Sequence, residues 1–529
     1  MDGWDDNNKT ISGLGRRDLL KMGAGVVATA ATVLRGDGVL AQGQTATSRA
    51  ATIPEGALPT LTRSGYRTPR GRLDGNDEMD DSTRKIVQYV HRFSEKDVSE
   101  SLVRAVNRTM VDSIACLMTG FEEPPVRICA ALAADAGVSP NAKLRSTVMG
   151  YGVTTTPELA AFANSVLIRM TDYNDHGPAG HASDLLPAAF SVGEAVHATG
   201  MQVLMGITVG YEIRGLNLRG SRESMAAAMA AGKVLGLDED RLANALAFAI
   251  QPHVPLNKGE GHLAMWKGTR SAQYVKDGVW AALMASKGLT GPQAPFEGVG
   301  ARWSLYGKDE FDIPVAPRQT VIERQGFKRY PLEASSQAVQ ELLPQMRAFA
   351  KPEEIAEIRH YMPFNGWTEI GDNPKFDPLN RETADHSMAY LLCRGLIDGE
   401  LYLDSFTEAK INDPALRTLI SKMTITPVRG WTGNGPARIV IFKTNGDTRF
   451  WDTNNGRRTS EVDGQAAFNT PMTNEEITAK FNRAAASMKV DNAQRDRARA
   501  LWGDIRSLKD IGQAIQSLAK FGNPRPLDA

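Results

Sequence analysis

Cysteine is almost missing from this 529-residue chain. The three present, Cys116, Cys129 and Cys393, are far apart and odd in number. No C-x-x-C occurs, so neither a zinc site nor a thiolate-ligated cluster is written into the sequence, and the three read as small buried apolar residues. An excess of either charge is missing too. Lys plus Arg and Asp plus Glu both number 61, which removes the electrostatic argument for nucleic acid or an anionic membrane surface. Any anion site must then come from locally placed cations. Beyond the N-terminus no apolar run is long enough to span a bilayer, so the mature chain is expected to be soluble. What remains is an ordinary globular composition, 42% apolar and 23% charged, at a length that suggests two or three folding units.

The N-terminus reads as a targeting segment. Arg16-Arg17-Asp18-Leu19-Leu20-Lys21 precedes an apolar run from Met22 to Leu34, too short to span but suited to a signal core. The pattern resembles a twin-arginine signal, with Leu19 where Phe is commoner and Gly15 where Ser or Thr is commoner. Val39-Leu40-Ala41 offers small residues for cleavage before Gln42. Residues 1–41 are therefore expected to be an export signal, read by the twin-arginine machinery, which would leave the protein periplasmic or otherwise exported. A mobile basic N-terminus followed by a surface helix is the alternative. Residues 42–80, rich in Thr, Gly, Pro, Arg and Asp, read as an irregular arm.

From Ser82 to about Leu289 the apolar spacing is helical; Leu102, Val106, Met110, Ile114 and Met118 set the pattern. Further helices are expected near Glu158–Met170, Leu185–His197, Met201–Ile213, Met225–Leu235, Glu239–Ile250 and Ser271–Lys287. Many are Ala-rich, as closely packed helices should be. The character changes near Tyr306. Glu354–Met362 and Lys422–Thr426 read as strands. Ala437–Lys443 and Thr448–Trp451 flank Thr444-Asn445-Gly446-Asp447, a strong hairpin signal. Helices interleave at Ala334–Phe349 and Ala384–Leu396, and helix resumes at Asn474–Met488 and Asp491–Leu518. The expected fold is mostly α: a helical domain (81–310), a smaller α+β lid (311–470), and C-terminal helices (471–525) that return to the helical domain.

Four polar clusters interrupt these elements. The densest runs from Asp172-Tyr173-Asn174-Asp175-His176 to His181-Ala182-Ser183-Asp184, with two Gly and a Pro excluding regular helix. Two imidazoles and several carboxylates on one loop between apolar helices suit general acid–base work, and His181 can take and return a proton near neutral pH. A solvated Asx turn with Asp184 capping the next helix fits the same residues, and a metal reading fits them less well. The second cluster, Gly261 to Arg270, places Lys267 and Arg270 three residues apart at a helix start, where cations would hold carboxylates; a solvated basic turn is the alternative. The third is Lys328-Arg329-Tyr330-Pro331, alternatively an exposed linker. The fourth, Arg381 to Tyr390, sets His386 and Tyr390 four apart on one helical face, or is a capping network.

In this order the clusters resemble the MmgE/PrpD family of 2-methylcitrate dehydratases and cis-aconitate decarboxylases. The likeness rests on Asp112-Ser113-Ile114-Ala115, Asp172-Tyr173-Asn174-Asp175 with His181-Ala182-Ser183-Asp184, and Gly210-Tyr211-Glu212. It continues through Met265-Trp266-Lys267-Gly268, Gly291-Pro292 to Phe296-Glu297-Gly298, Lys328 to Gln337, and Arg381 to Ser387. It implies a cofactor-free, metal-free lyase, usually a homodimer, with its cleft between helical domain and lid. Asp172, His181 and Lys267 would be catalytic, with Tyr390 weaker. Lys328, Arg270, His176 and His386 would bind substrate. The reaction would remove a proton α to a carboxylate of a 2-hydroxy tricarboxylate such as 2-methylcitrate. Decarboxylation of a cis-aconitate-like acid, or carboxylate binding without turnover, are the alternatives. The chain departs from the family pattern in two places. His176 stands where Thr is usual. About a dozen residues after Glu212 are missing, a stretch that often carries another histidine; His253 or His262 would have to fill that place.

Overall fold

The structure, a computed structural model, describes residues 79–218, 220, 222–250, 261–297, 301–313, 319–431, 437–453, 471–522 and 527. The proposed export signal, nearly all of the arm, and His253 lie outside the described residues. Among the described residues, no helix is long and apolar enough to cross a membrane.

Among the described residues, nine helices of the N-terminal part position the site: α1 (Asp81–Arg92), α2 (Glu100–Gly120), α3 (Pro124–Ala136), α4 (Pro157–Arg169), α5 (Leu186–Ala195), α6 (Gly200–Arg214), α7 (Arg222–Val234), α8 (Glu239–Ala249) and α9 (Trp266–Ser286). Their starts follow local chemistry. Asp80 caps α1 by accepting from Thr83 N, Ser99 caps α2, and Thr199 forms a capping box with Gln202 at α6. Small residues let the helices close up. A Cβ on Gly278 of α9 would fall 2.5 Å from the Ser224 carbonyl and 2.6 Å from Ala227 Cβ of α7, so only glycine permits this approach. Helix α9 packs on α4, α7 and α8, and α2 packs on α4. One contiguous core results, running from Ile86 to Phe521.

A short hairpin, β1 (Ser146–Val148) with β2 (Val153–Thr155), lies beside α4. The second core belongs to the α+β part, where β3 (Ile355–Pro363), β4 (Met423–Val428), β5 (Arg438–Lys443) and β6 (Thr448–Asp452) form a sheet of order β4-β3-β5-β6. The Asn445-Gly446 turn joins β5 to β6 as the sequence predicts, with Gly446 at φ 93°. The β3–β4 pair is parallel. Its crossover contains the helices Met388–Asp398 and Pro414–Ile420.

Three expected helices are interrupted. Ala334–Phe349 divides at Leu342, where Pro344 begins a new helix, Leu343–Phe349. Ala384–Leu396 is broken at Asp385-His386-Ser387. There the Ser387 hydroxyl accepts from Tyr390 N and starts a fresh helix at Met388. Asp491–Leu518 divides after Trp502 into Asn492–Trp502, a 3-10 turn, and Gly512–Ser517. The helix Asn474–Ser487 returns to pack on α2. The protein is thus mostly α with a small α+β part, as its sequence implies.

Candidate active site

The loop between α4 and α5 begins where α4 ends at Arg169. Asp172 follows in a left-handed backbone, φ 50°, unusual for a residue with a side chain. Cations hold it there. The Arg169 guanidinium pairs with Oδ1, the Lys267 ammonium donates to Oδ1 at 3.2 Å, and the Lys328 ammonium donates to Oδ2 at 2.6 Å and to the Asp172 carbonyl at 2.8 Å. Burial alone would raise this carboxyl, but Arg169, Lys267 and Lys328 outweigh it and hold it well below the usual carboxylate range. Burial, reinforced by Arg169 against the pull of Asp172, lowers the Lys328 ammonium from its ordinary value.

The rest of the loop is fixed by its own polar groups. Asp175 accepts from Ser183 N at 3.0 Å, from Ser183 Oγ at 2.6 Å and from the Tyr211 hydroxyl of α6 at 3.0 Å. Burial pushes its carboxyl up to about 6. Asn174 donates to Ser183 Oγ and to Asp184. His181 stands 2.7 Å, through Nδ1, from the Asp175 carbonyl. A carbonyl only accepts, so Nδ1 carries the proton and Nε2 keeps a lone pair in the neutral ring. Burial, then Arg169 and Lys328, hold His181 well below its ordinary value. The ring of His176 lies 5.4 Å from that of His181, and burial and Lys328 lower it to about 4.

Two further groups close the site. His386 Nδ1 is 2.6 Å from Asp385 Oδ1, and Lys267 lies 3.8 Å from the same carboxylate oxygen. Burial and Lys267 lower His386 to about 4. Glu333 is buried near Lys328, and burial pushes it up to about 7.

The structure therefore brings together Asp172, His176, His181, Lys267, Lys328 and His386 from four separate stretches of sequence. It does not bring Tyr390 or Arg270 into direct contact with them. Tyr390 is fully buried in the second core and its hydroxyl donates to the Ser405 carbonyl. The break at Ser387 is the reason: His386 precedes the helix, so the two do not share a helical face. The Arg270 guanidinium lies over the rings of Trp266 and Tyr274. His262 is exposed. The partner that orients His181 is the Asp175 backbone and not the Asp172 carboxylate.

Sequence reasoning overlooked Arg169, although its three-residue spacing from Asp172 at a helix end is visible. It also overlooked Lys480. That ammonium donates to Asp112 at 2.7 Å, to the Tyr173 carbonyl at 2.8 Å and to the Lys328 carbonyl at 3.1 Å. Nothing local links position 480 to these residues. Among the described residues, no three His, Cys, Asp or Glu side chains are grouped so as to hold a metal ion. What the arrangement can do is bind anions through buried ammoniums and move a proton through a neutral imidazole.

Residues 84–312 match the MmgE/PrpD N-terminal domain and residues 330–503 the MmgE/PrpD C-terminal domain. Cis-aconitate decarboxylase of Homo sapiens is 25% identical over 378 residues, covering 65% of this chain and 76% of the relative. The cis-aconitate decarboxylase-like protein oryM of Aspergillus oryzae is 23% identical over 83% of this chain and 96% of its own. Cis-aconitate decarboxylase of Aspergillus terreus is 23% identical over 82% and 95%. By the two domain matches, which together span well over half of the chain, this protein belongs to the MmgE/PrpD family of dehydratases and decarboxylases.

Proposed function

We propose that this chain is a cofactor-free lyase that dehydrates a 2-hydroxy tricarboxylate such as 2-methylcitrate, with His181 as the base. The observation that carries this reading is the neutral His181 ring, its Nδ1 proton committed to the Asp175 carbonyl. Its Nε2 lone pair takes the proton α to a substrate carboxylate. The electron pair left on carbon forms the double bond as the C–O bond breaks. The departing hydroxide takes a proton from the Lys328 ammonium, whose lowered affinity for that proton suits it to donate, and leaves as water. Lys267 and Arg169 stabilise the charge that develops on the carboxylate.

The names of the relatives favour a second reading, decarboxylation of a cis-aconitate-like acid. There the C–C bond to the departing carboxylate breaks, its electron pair moves through the double bond, and the far carbon takes a proton from Lys328 or Glu333. Purified protein given 2-methylcitrate separates the two, followed by absorbance of the new conjugated double bond, with cis-aconitate followed by carbon dioxide release. Dehydration predicts the first signal, surviving exhaustive chelation. Carbon dioxide alone would replace the first reading by the second. Tight binding with neither signal would make the protein a carboxylate binder, and loss on chelation restored by one metal would overturn the cofactor-free mechanism.

A further inference from the structure

Beside the His181 loop lies a second group of cations that the chemistry above does not use. Arg214 ends α6 and is nine-tenths buried. Its Nη2 pairs with Glu223 Oε1 of α7 at 3.1 Å, while its Nη1 is buried with no hydrogen-bond partner. The same Nη2 lies 3.4 Å from where a Cβ on Gly180 would stand, so the guanidinium rests against the loop one residue before His181. Gly180 is at φ 62°, and its carbonyl accepts from Gln325 Nε2 at 2.5 Å, which fixes the backbone that Arg214 faces.

Glu223 would be raised by burial, yet Arg214, its own backbone N–H, and then Arg222 and Arg270 hold it below its ordinary value. Arg222 is itself lowered by burial and by Arg214. Of the three guanidiniums that act on Glu223, only Arg214 is paired with it, and one carboxylate oxygen leaves the Arg214 fork half used. A buried guanidinium N–H without an acceptor is costly, and a carboxylate is the group its planar fork fits best.

We infer that Arg214 takes a remote carboxylate of the substrate, in a subsite beside His181 that selects tricarboxylates over dicarboxylates. The inference rests on the reading of the protein as a tricarboxylate lyase and adds the residue that reads the remote carboxylate.

Calorimetric titration of the full chain tests it, using tricarballylate and methylsuccinate, which lacks one terminal carboxylate. The wild type is expected to bind tricarballylate more tightly. Arg214→Gln should weaken tricarballylate roughly thirtyfold or more and leave methylsuccinate nearly unchanged, so that the preference disappears. Arg214→Lys keeps the charge opposite Glu223 and loses the fork; about a tenfold loss is expected, and this variant decides the matter if the glutamine variant does not fold. Unchanged tricarballylate binding in a folded Arg214 variant would overturn the subsite alone. Failure of the wild type to bind either acid would overturn the carboxylate reading with it.

Discussion

Asp172 and His181 divide the work of the loop between charge and proton. Asp172 is held in a left-handed backbone by three cations and contributes fixed negative charge. His181 is held by a backbone carbonyl and stays neutral. That division predicts separable effects. His181→Gln should abolish turnover while carboxylate binding and the thermal midpoint persist, because only an interaction of the transition state is lost. His176→Thr should be tolerated, since the His176 ring neighbours His181 without orienting it. An active His181→Gln beside an inactive His176→Thr would reverse the two roles. Lys267→Ala should cost about 2–5 kcal/mol in catalytic efficiency, the range for leaving a desolvated carboxylate unpaired. Two Gly, a Pro and paired imidazoles between apolar helices made this loop legible in the sequence. Which group turns His181 was not legible, because a backbone carbonyl carries no sequence signal.

At the scale of the element, the Asn445-Gly446 hairpin was readable because two strands and a turn that demands positive φ are adjacent in sequence. The parallel pairing of β3 with β4 was not, since it depends on a crossover of some sixty residues. The sheet also contains a residue that its alternating pattern hides. His360 of β3 is fully buried, and neither ring nitrogen has a hydrogen-bond partner. Burial lowers it to about 3 from an ordinary value of 6.5. Because the folded value is depressed, its contribution is complete above pH 6.5 and is lost as the pH falls from there towards 3, where the unfolded chain binds the proton and the folded chain does not. Over that interval it should cost up to about 1.4 kcal/mol per pH unit. His360→Leu should therefore be at least as stable as the wild type at neutral pH, and its denaturation midpoint should fall less steeply with acid. Parallel pH profiles for the two proteins would show that His360 does not carry this loss.

For the whole molecule, the return of the chain after the α+β part is what completes the site. The helix Asn474–Ser487 was expected from its periodicity, and its destination followed from the order of helical, mixed and helical segments. The contact that fixes it was not foreseeable, because Lys480 meets Asp112 across 368 positions. Burial would lower that ammonium, but Asp112 outweighs it and keeps it charged above its ordinary range. Lys480 also lies 3.8 Å over the Tyr173 ring and donates to the carbonyls of Tyr173 and Lys328. Tyr173 follows Asp172 in the chain, and Lys328 carries its ammonium partner. One side chain thus joins α2, the His181 loop, the Lys328 segment and the C-terminal helices. Lys480→Met should destabilise the protein by about 3–5 kcal/mol, chiefly because Asp112 is left buried and unpaired. Adding Asp112→Asn removes that unpaired charge, so the double variant should recover a large part of the loss. Turnover should not recover with it, because the tethers to the Tyr173 and Lys328 carbonyls are still missing. Stability by denaturant titration and kcat measured on the same three variants decide the point. If the two substitutions add without recovery, Asp112 and Lys480 are not coupled. If kcat returns with stability, Lys480 acts on the fold alone and not on the geometry of the site.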